Sequence, residues 1–232
     1  MLERGAAELD VPLEAQQRDQ CLRYLDLLLE WNARMNLTAV RDPHEALVKH
    51  FLDSMTLLPL LPEEPGLRLI DVGTGAGFPG LVLKVMRPDL RLLLLDSLKK
   101  RLSFLDAVSR ELGLEAVETM HARAEDAGRN PALRERFDAA AARAVAEMRV
   151  LSEYCLPFVK VGGVFLAMKG PHGAEEQAAA GEIQRKLGGR LEEARPASLP
   201  FLGEERLLLA VRKERPTPAK YPRRASEIKS GA

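Results

Sequence analysis

The 232-residue sequence predicts a doubly wound α/β fold, with a mostly parallel seven-stranded sheet behind an N-terminal helical extension. Three observations predict it. From Leu67 onward, short apolar runs alternate with segments of helical periodicity, the pattern of β–α units whose sheet is covered on both faces. A glycine-rich turn, Gly73-Thr74-Gly75-Ala76-Gly77, follows the first run directly and precedes a helix. No long helix separates the last two runs, so the final pair is expected to be antiparallel.

Residues 11–35 read as the first helix, with Asp10 as N-cap and Pro12 in the first turn; Leu22, Leu25, Leu28, Leu29 and Trp31 fall at helical spacing. A second helix is expected from Asp42-Pro43, with Leu47, Val48, Phe51, Leu52, Met55 and Leu58 on one side. Pro59 and the stretch Leu61–Gly66 end it. The expected strands are Leu67–Val72, Arg91–Asp96, Ala116–His121, Phe137–Ala142, Gly163–Met168, Arg190–Ser198 and Arg206–Val211. The expected helices between them are Gly80–Met86, Ser97–Leu112, Val145–Phe158 and Gly173–Leu187. The chain thus divides into a helical extension over 1–62, a core domain over 63–215 and a basic tail over 216–232.

Hydrophobic and charged contents of 46% and 29% suit a soluble globular protein. The apolar runs are too short to span a bilayer, and the first residues lack a basic segment followed by an apolar core, so a cytoplasmic protein is expected. Cys21 and Cys155 have no CxxC or CxH neighbours, and His44, His50, His121 and His172 are scattered, so no metal site is expected. Net charge is zero but unevenly spread. Residues 1–30 hold seven acids and three bases, whereas residues 212–229 hold seven bases and two acids. Such a tail is either a solubilising terminus or a contact for phosphates.

The chemistry concentrates around Leu69-Ile70-Asp71-Val72-Gly73-Thr74-Gly75-Ala76-Gly77-Phe78-Pro79-Gly80. Glycines let the chain turn sharply and bring its backbone close to a ligand. Asp96 closes the second strand, 25 residues after Asp71, where doubly wound folds place an acid on ribose hydroxyls. Phe78 stands where a dinucleotide motif needs its last glycine, so a nucleoside without pyrophosphate, S-adenosyl-L-methionine, is favoured over a nicotinamide. Asp96 reads alternatively as a helix cap, a job Ser97 also fits. Ala124 and Glu125 follow the third strand, where an amide and a carboxylate would meet the adenine; an N-cap acid is the other reading. Arg143 ends the fourth strand at the ligand edge, as a catalytic and cofactor-binding charge or as half of a salt bridge.

Absences narrow the acceptor. The fourth strand runs into Ala-Arg-Ala-Val-Ala, without the Asp/Asn-Pro-Pro-aromatic motif common in exocyclic-amine methylation, and neither cysteine is placed for attack on cytosine. A ring nitrogen such as guanine N7 attacks through its own lone pair and needs neither device. Lys99, Lys100 and Arg101 sit in the first turn of a helix, opposed to its dipole at about 0.3–1 kcal/mol each, which reads either as an anion-binding demand or as a solvated charge run. Lys169, Lys220, Arg223 and Arg224 extend the same basic set for RNA.

Several blocks go beyond a generic cofactor fold: Trp31-Asn32, Met35-Asn36-Leu37-Thr38-Ala39, Lys49-His50-Phe51-Leu52-Asp53-Ser54, Asp96-Ser97-Leu98-Lys99-Lys100-Arg101 and Thr217-Pro218-Ala219-Lys220-Tyr221-Pro222-Arg223-Arg224. With the glycine-rich turn, Arg123-Ala124-Glu125, Arg143-Ala144 and Lys169-Gly170, the sequence resembles the bacterial glucose-inhibited division protein B family over nearly its whole length. These are small-subunit ribosomal RNA guanine-N7 methyltransferases with a class I, Rossmann-like fold. The resemblance implies cofactor contacts at Gly73, Phe78, Ala124, Glu125 and Arg143, with Asp96 on the ribose. It also implies a target in folded small-subunit ribosomal RNA or its particle; a monomer is a separate expectation. Two departures are Ala142, where the family usually has serine or threonine, and the finish from Ala225 onward. Trp31, Asn32 and His50 read first as core packing; alternatively Asn32 and Asn36 cap or bridge the two N-terminal helices onto the sheet, with Asp53 and Ser54 positioning the glycine-rich loop. A small-molecule methyltransferase and a non-catalytic RNA-binding assembly factor are the competing readings.

Overall fold

The computed structural model describes residues 1–230, with side chains through Ile228. Five short and long helical pieces come first: α1 (Leu2–Glu8), α2 (Ala15–Met35), α3 (Pro43–Ala46), a π-helical turn over Leu47–Leu52, and α4 (Asp53–Met55). The core follows as β1 (Arg68–Val72), α5 (Gly80–Met86), β2 (Arg91–Asp96), α6 (Lys99–Glu111), β3 (Val117–His121), α7 (Ala124–Ala127) and β4 (Phe137–Arg143). It continues as α8 (Met148–Cys155), β5 (Val159–Lys169), α9 (Gly173–Lys186), β6 (Gly189–Ser198), β7 (Glu205–Lys213) and α10 (Ala225–Ser230). Among the described residues no helix is long and apolar enough to cross a membrane.

The seven strands lie in the order β3-β2-β1-β4-β5-β7-β6. β1 through β5 pair in parallel, and β7 is antiparallel to both β5 and β6, as the missing last helix predicts. Order reverses between β1 and β4, so the ligand crevice belongs at the C-terminal edge there. Alternation along each strand feeds two cores. Leu69, Leu92 and Leu94 join the core under α2, α5 and α6, whereas Ile70, Val72, Leu93 and Leu95 join the one that includes residues of α8.

The N-terminus departs from expectation. Asp10 is not a cap: its φ is 56°, and α2 starts at Ala15 behind Glu14, which trades backbone–side-chain bonds with Gln17 in a capping box. Asp42 does cap, accepting from Glu45 N at 2.8 Å, but the helix it starts widens into the π turn over Leu47–Leu52. The basic tail is docked. Arg134 donates to the carbonyls of Thr217 and Tyr221, Arg149 donates to the Ile228 carbonyl, and Tyr221 and Ile228 are buried. Gly231 and Ala232 lie outside the described residues.

Candidate functional site

The glycine-rich turn is fastened from three sides. Gly73 N and Thr74 N donate to the Leu95 carbonyl, at 2.8 and 3.1 Å, tying the end of β1 to β2. Buried Asp71 accepts from Thr74 Oγ1 at 2.7 Å and Gly80 N at 2.9 Å through one oxygen. The other oxygen has no partner among the described residues, and burial pushes the carboxyl up to about 6. From the N-terminal helices, Tyr24 donates its hydroxyl to the Ala76 carbonyl. Gly77 takes φ 94°, and a Cβ there would collide with Tyr24 Oη; at Gly73 (φ 73°) it would meet Val145 Cγ2 at 2.7 Å.

Asp96 closes β2 with a side chain 2% exposed. Its Oδ2 accepts from Gly75 N at 2.9 Å and Arg101 Nη1 at 3.2 Å, and its Oδ1 accepts from Leu98 N at 2.8 Å. The N-cap position of α6 is Leu98, with no side-chain cap bond, so neither Asp96 nor Ser97 is the cap; Asp96 holds the approach to the helix through Leu98 N. Beside it lies a cleft lined by Val72, Gly73, Leu95, Asp96, Ala122, Ala124, Glu125, Val145 and Tyr154. Apolar walls with carboxylates at the rim fit an adenosine: a flat base between aliphatic groups, and ribose hydroxyls donating to an acid. Each Asp96 oxygen has two lone pairs. A ribose hydroxyl can take the spare one on Oδ1, or displace Arg101 from Oδ2.

A second assembly stands across the loop. Phe78 is sandwiched between Tyr24 and His50, with ring centroids at 5.1 and 4.8 Å, and Arg143 lies 5.3 Å from its centroid. Arg143 Nη1 donates to the Lys49 carbonyl at 2.8 Å and to Asp53 Oδ2 at 3.0 Å, and Nη2 donates to His50 Nδ1 at 3.3 Å. His50 Nδ1 also lies 3.1 Å from the Lys49 carbonyl, and its Nε2 is 2.8 Å from Thr38 Oγ1. Burial, and next the Arg143 charge, hold the imidazole down at about 4, so it is neutral. Asp53 Oδ1 accepts from Arg206 Nε at 3.0 Å, and Glu204 joins Arg206 to Lys49.

A family described as rRNA small subunit methyltransferase G matches residues 17–205 of this chain. The chain belongs to that family. Among its members, a ribosomal RNA small subunit methyltransferase G from Symbiobacterium thermophilum is 55% identical over 230 residues, covering 97% of this chain and 94% of that protein. One from Acetivibrio thermocellus is 47% identical, covering 98% and 93%. Solved structures give the same fold at greater distance. TrmN from Thermus thermophilus aligns with TM-score 0.54 and 19% identity, over 72% of this chain and 53% of that one. An S-adenosylmethionine-dependent methyltransferase from Aquifex aeolicus aligns with TM-score 0.53 and 19% identity, over 72% and 92%.

Against the family's expected site, the structure gathers Gly73, Asp96, Ala124 and Glu125 in one cleft, with Gly75 bonded behind Asp96. Gly77, Phe78 and Arg143 belong to the neighbouring assembly, where Arg143 is ion-paired as the salt-bridge alternative has it. Among the described residues the Asp53 carboxylate has no hydrogen bond to the glycine-rich loop; it joins Arg143 to Arg206. Ser54 turns back onto the His50 carbonyl, Asn32 brackets Thr38 N and O, and Asn36 ends α2 in a left-handed conformation.

The basic set splits. Lys99 and Lys100 are exposed without ion pairs among the described residues, and Lys220 and Arg224 are exposed on the tail. Lys169 is a correction: it is 8% exposed, donates to the Ala146 carbonyl at 2.8 Å and pairs with Glu176 at 2.6 Å, so it faces inward. Arg101 is drawn to Asp96, and Arg223 chelates buried Glu153 at 3.0 Å. Thr38 lay within a quoted block but had no role assigned, and Val145, Tyr154 and Arg206 had no motif to reveal them. They are ordinary residue types on elements far apart in sequence.

Proposed function

We propose that the chain transfers a methyl group from S-adenosyl-L-methionine to N7 of a guanine in small-subunit ribosomal RNA, acting in the cytoplasm as a monomer. The observation that carries this reading is the apolar cleft with Asp96 and Glu125 at its rim, on the ligand edge of a family of ribosomal RNA methyltransferases. The cofactor supplies an electrophilic methyl on a sulfonium. The chain's own residues hold and align. Gly73, Asp96, Ala124 and Glu125 take the nucleoside, while Gly75, Gly77 and Phe78 shape the loop beside it. Arg143, over the Phe78 ring, fixes positive charge next to that loop. Guanine N7 has no proton to lose, so alignment rather than general-base chemistry is what the site must provide. Lys99, Lys100, Lys220 and Arg224 are the proposed phosphate contacts.

The test is methylation of ribosomal RNA from cells lacking this protein, using labelled cofactor, followed by mapping of the labelled nucleotide. Label at one guanine N7 of the small-subunit RNA is expected. Label confined to another atom, or to no RNA, overturns the reading.

A further inference from the structure

A second cleft, of about 480 Å³, opens on the same sheet edge where β5 ends and β7 begins. Gly170, Pro171, Pro196, Ser198, Glu205 and Arg206 are among its lining residues. In the order β1-β4-β5-β7 it stands three strand spacings from the glycine-rich turn, roughly 14 Å at about 4.8 Å each. Asp53 connects the two regions directly, through Arg143 at the end of β4 and Arg206 at the start of β7.

The two charged groups of this cleft differ. Arg206 is engaged by Asp53, Glu204 and the Glu205 carbonyl. The Glu205 side chain is exposed and has no ion pair or hydrogen bond among the described residues. An unpaired carboxylate is unfavourable on a surface that meets RNA phosphates. It becomes intelligible if the cleft takes a base and not the backbone.

We infer that this cleft receives the acceptor guanine, extruded from its RNA, and that Glu205 reads the guanine Watson–Crick edge; the inference rests on the proposed function. An ionised carboxylate only accepts hydrogen bonds. Guanine N1–H and N2–H lie side by side and match its two oxygens, whereas adenine turns the N1 lone pair toward them. Gripped at that edge, guanine leaves N7, on the opposite side of the purine, free to face the cofactor cleft. Pro171 and Pro196 offer apolar surface to the ring, as a pocket for a flipped base requires. In the transfer the N7–C bond forms, the C–S bond breaks with its electron pair left on sulfur, and no proton moves. The purine gains positive charge, N1–H becomes a stronger donor, and the contact with Glu205 tightens as that charge develops.

The test uses the full chain, small-subunit RNA whose methylated guanine has been mapped, and the same RNA with inosine there, which lacks only the N2 amino group. The wild type is expected to prefer guanine by about tenfold or more in kcat/KM. Glu205→Ala should lower kcat/KM for guanine by a similar factor and leave guanine and inosine within about twofold of each other. Its melting temperature and S-adenosylmethionine affinity should stay at wild-type values, which separates base reading from a structural role. Wild-type discrimination by Glu205→Ala, or a wild type indifferent to inosine, overturns the inference. A wild type that methylates no guanine in this RNA overturns the function beneath it, and the inference with it.

Discussion

Replacing Asp53 by alanine leaves two guanidiniums facing each other across an empty place. The Asp53 side chain is 4% exposed and accepts from Arg143 and Arg206, both at 3.0 Å. Removing one member of a buried ion pair costs about 3–5 kcal/mol. Here the partners are 15% and 17% exposed and keep other acceptors: the Lys49 carbonyl for Arg143, and Glu204 and the Glu205 carbonyl for Arg206. The lower end, about 3 kcal/mol, is therefore expected. For a chain of this length that is a fall in melting temperature of roughly 6–12 °C. Asp53→Asn keeps the volume and one acceptor oxygen and should lose about half as much. Calorimetry of the three proteins decides. A fall under about 2 °C for the alanine variant, or a larger fall for asparagine than for alanine, would refute the account of Asp53 as the clasp between the sheet edge and the N-terminal helices.

Gly77→Ala should lose about 2–4 kcal/mol by urea titration, because the new Cβ lands on Tyr24 Oη in a left-handed backbone; a cost below 1 kcal/mol would contradict that packing. Asp96→Ala should weaken S-adenosylmethionine binding in a calorimetric titration by about 1–3 kcal/mol, and unchanged affinity would end the ribose assignment. His50, with its folded pKa depressed to about 4, stabilises fully above its ordinary value and loses that stabilisation as pH falls. The stability gap between wild type and His50→Gln should accordingly narrow by up to about 3 kcal/mol between pH 7 and pH 4; a constant gap across that range refutes the neutral imidazole. Alanines at Lys99 and Lys100 should flatten the salt dependence of RNA binding by up to about two phosphate contacts, and an unaltered slope would take them off the interface.

Much of the architecture was legible because its signals are local. Leu92–Leu95 is a continuous apolar run that only a strand buried on both faces explains, and the glycine turn announces itself by spacing. Asp96 was legible as an acid at a strand end, and it does line the cleft; the helix cap that Asp96 or Ser97 was expected to supply is absent, since α6 starts behind Leu98 with no side-chain cap bond. The π turn was hidden, since Leu47, Val48, Phe51 and Leu52 suit α and π windings alike. Asp10 and Pro12 imitate a helix start, yet Glu14 and Gln17 make the actual box. Lys169 and Arg223 looked like surface cations because a sequence displays charges without their partners. Glu176 lies on α9 and Glu153 on α8, and only folding brings them within reach.

The stack of Tyr24, Phe78 and His50 bears on how the protein comes apart. One layer belongs to the glycine loop and the other two to the opening sixty residues, so the stack is shared between them. A boundary drawn near residue 62 marks a change in chain pattern and no seam in cohesion. Trimming the front helices away would strip the glycine turn of one wall.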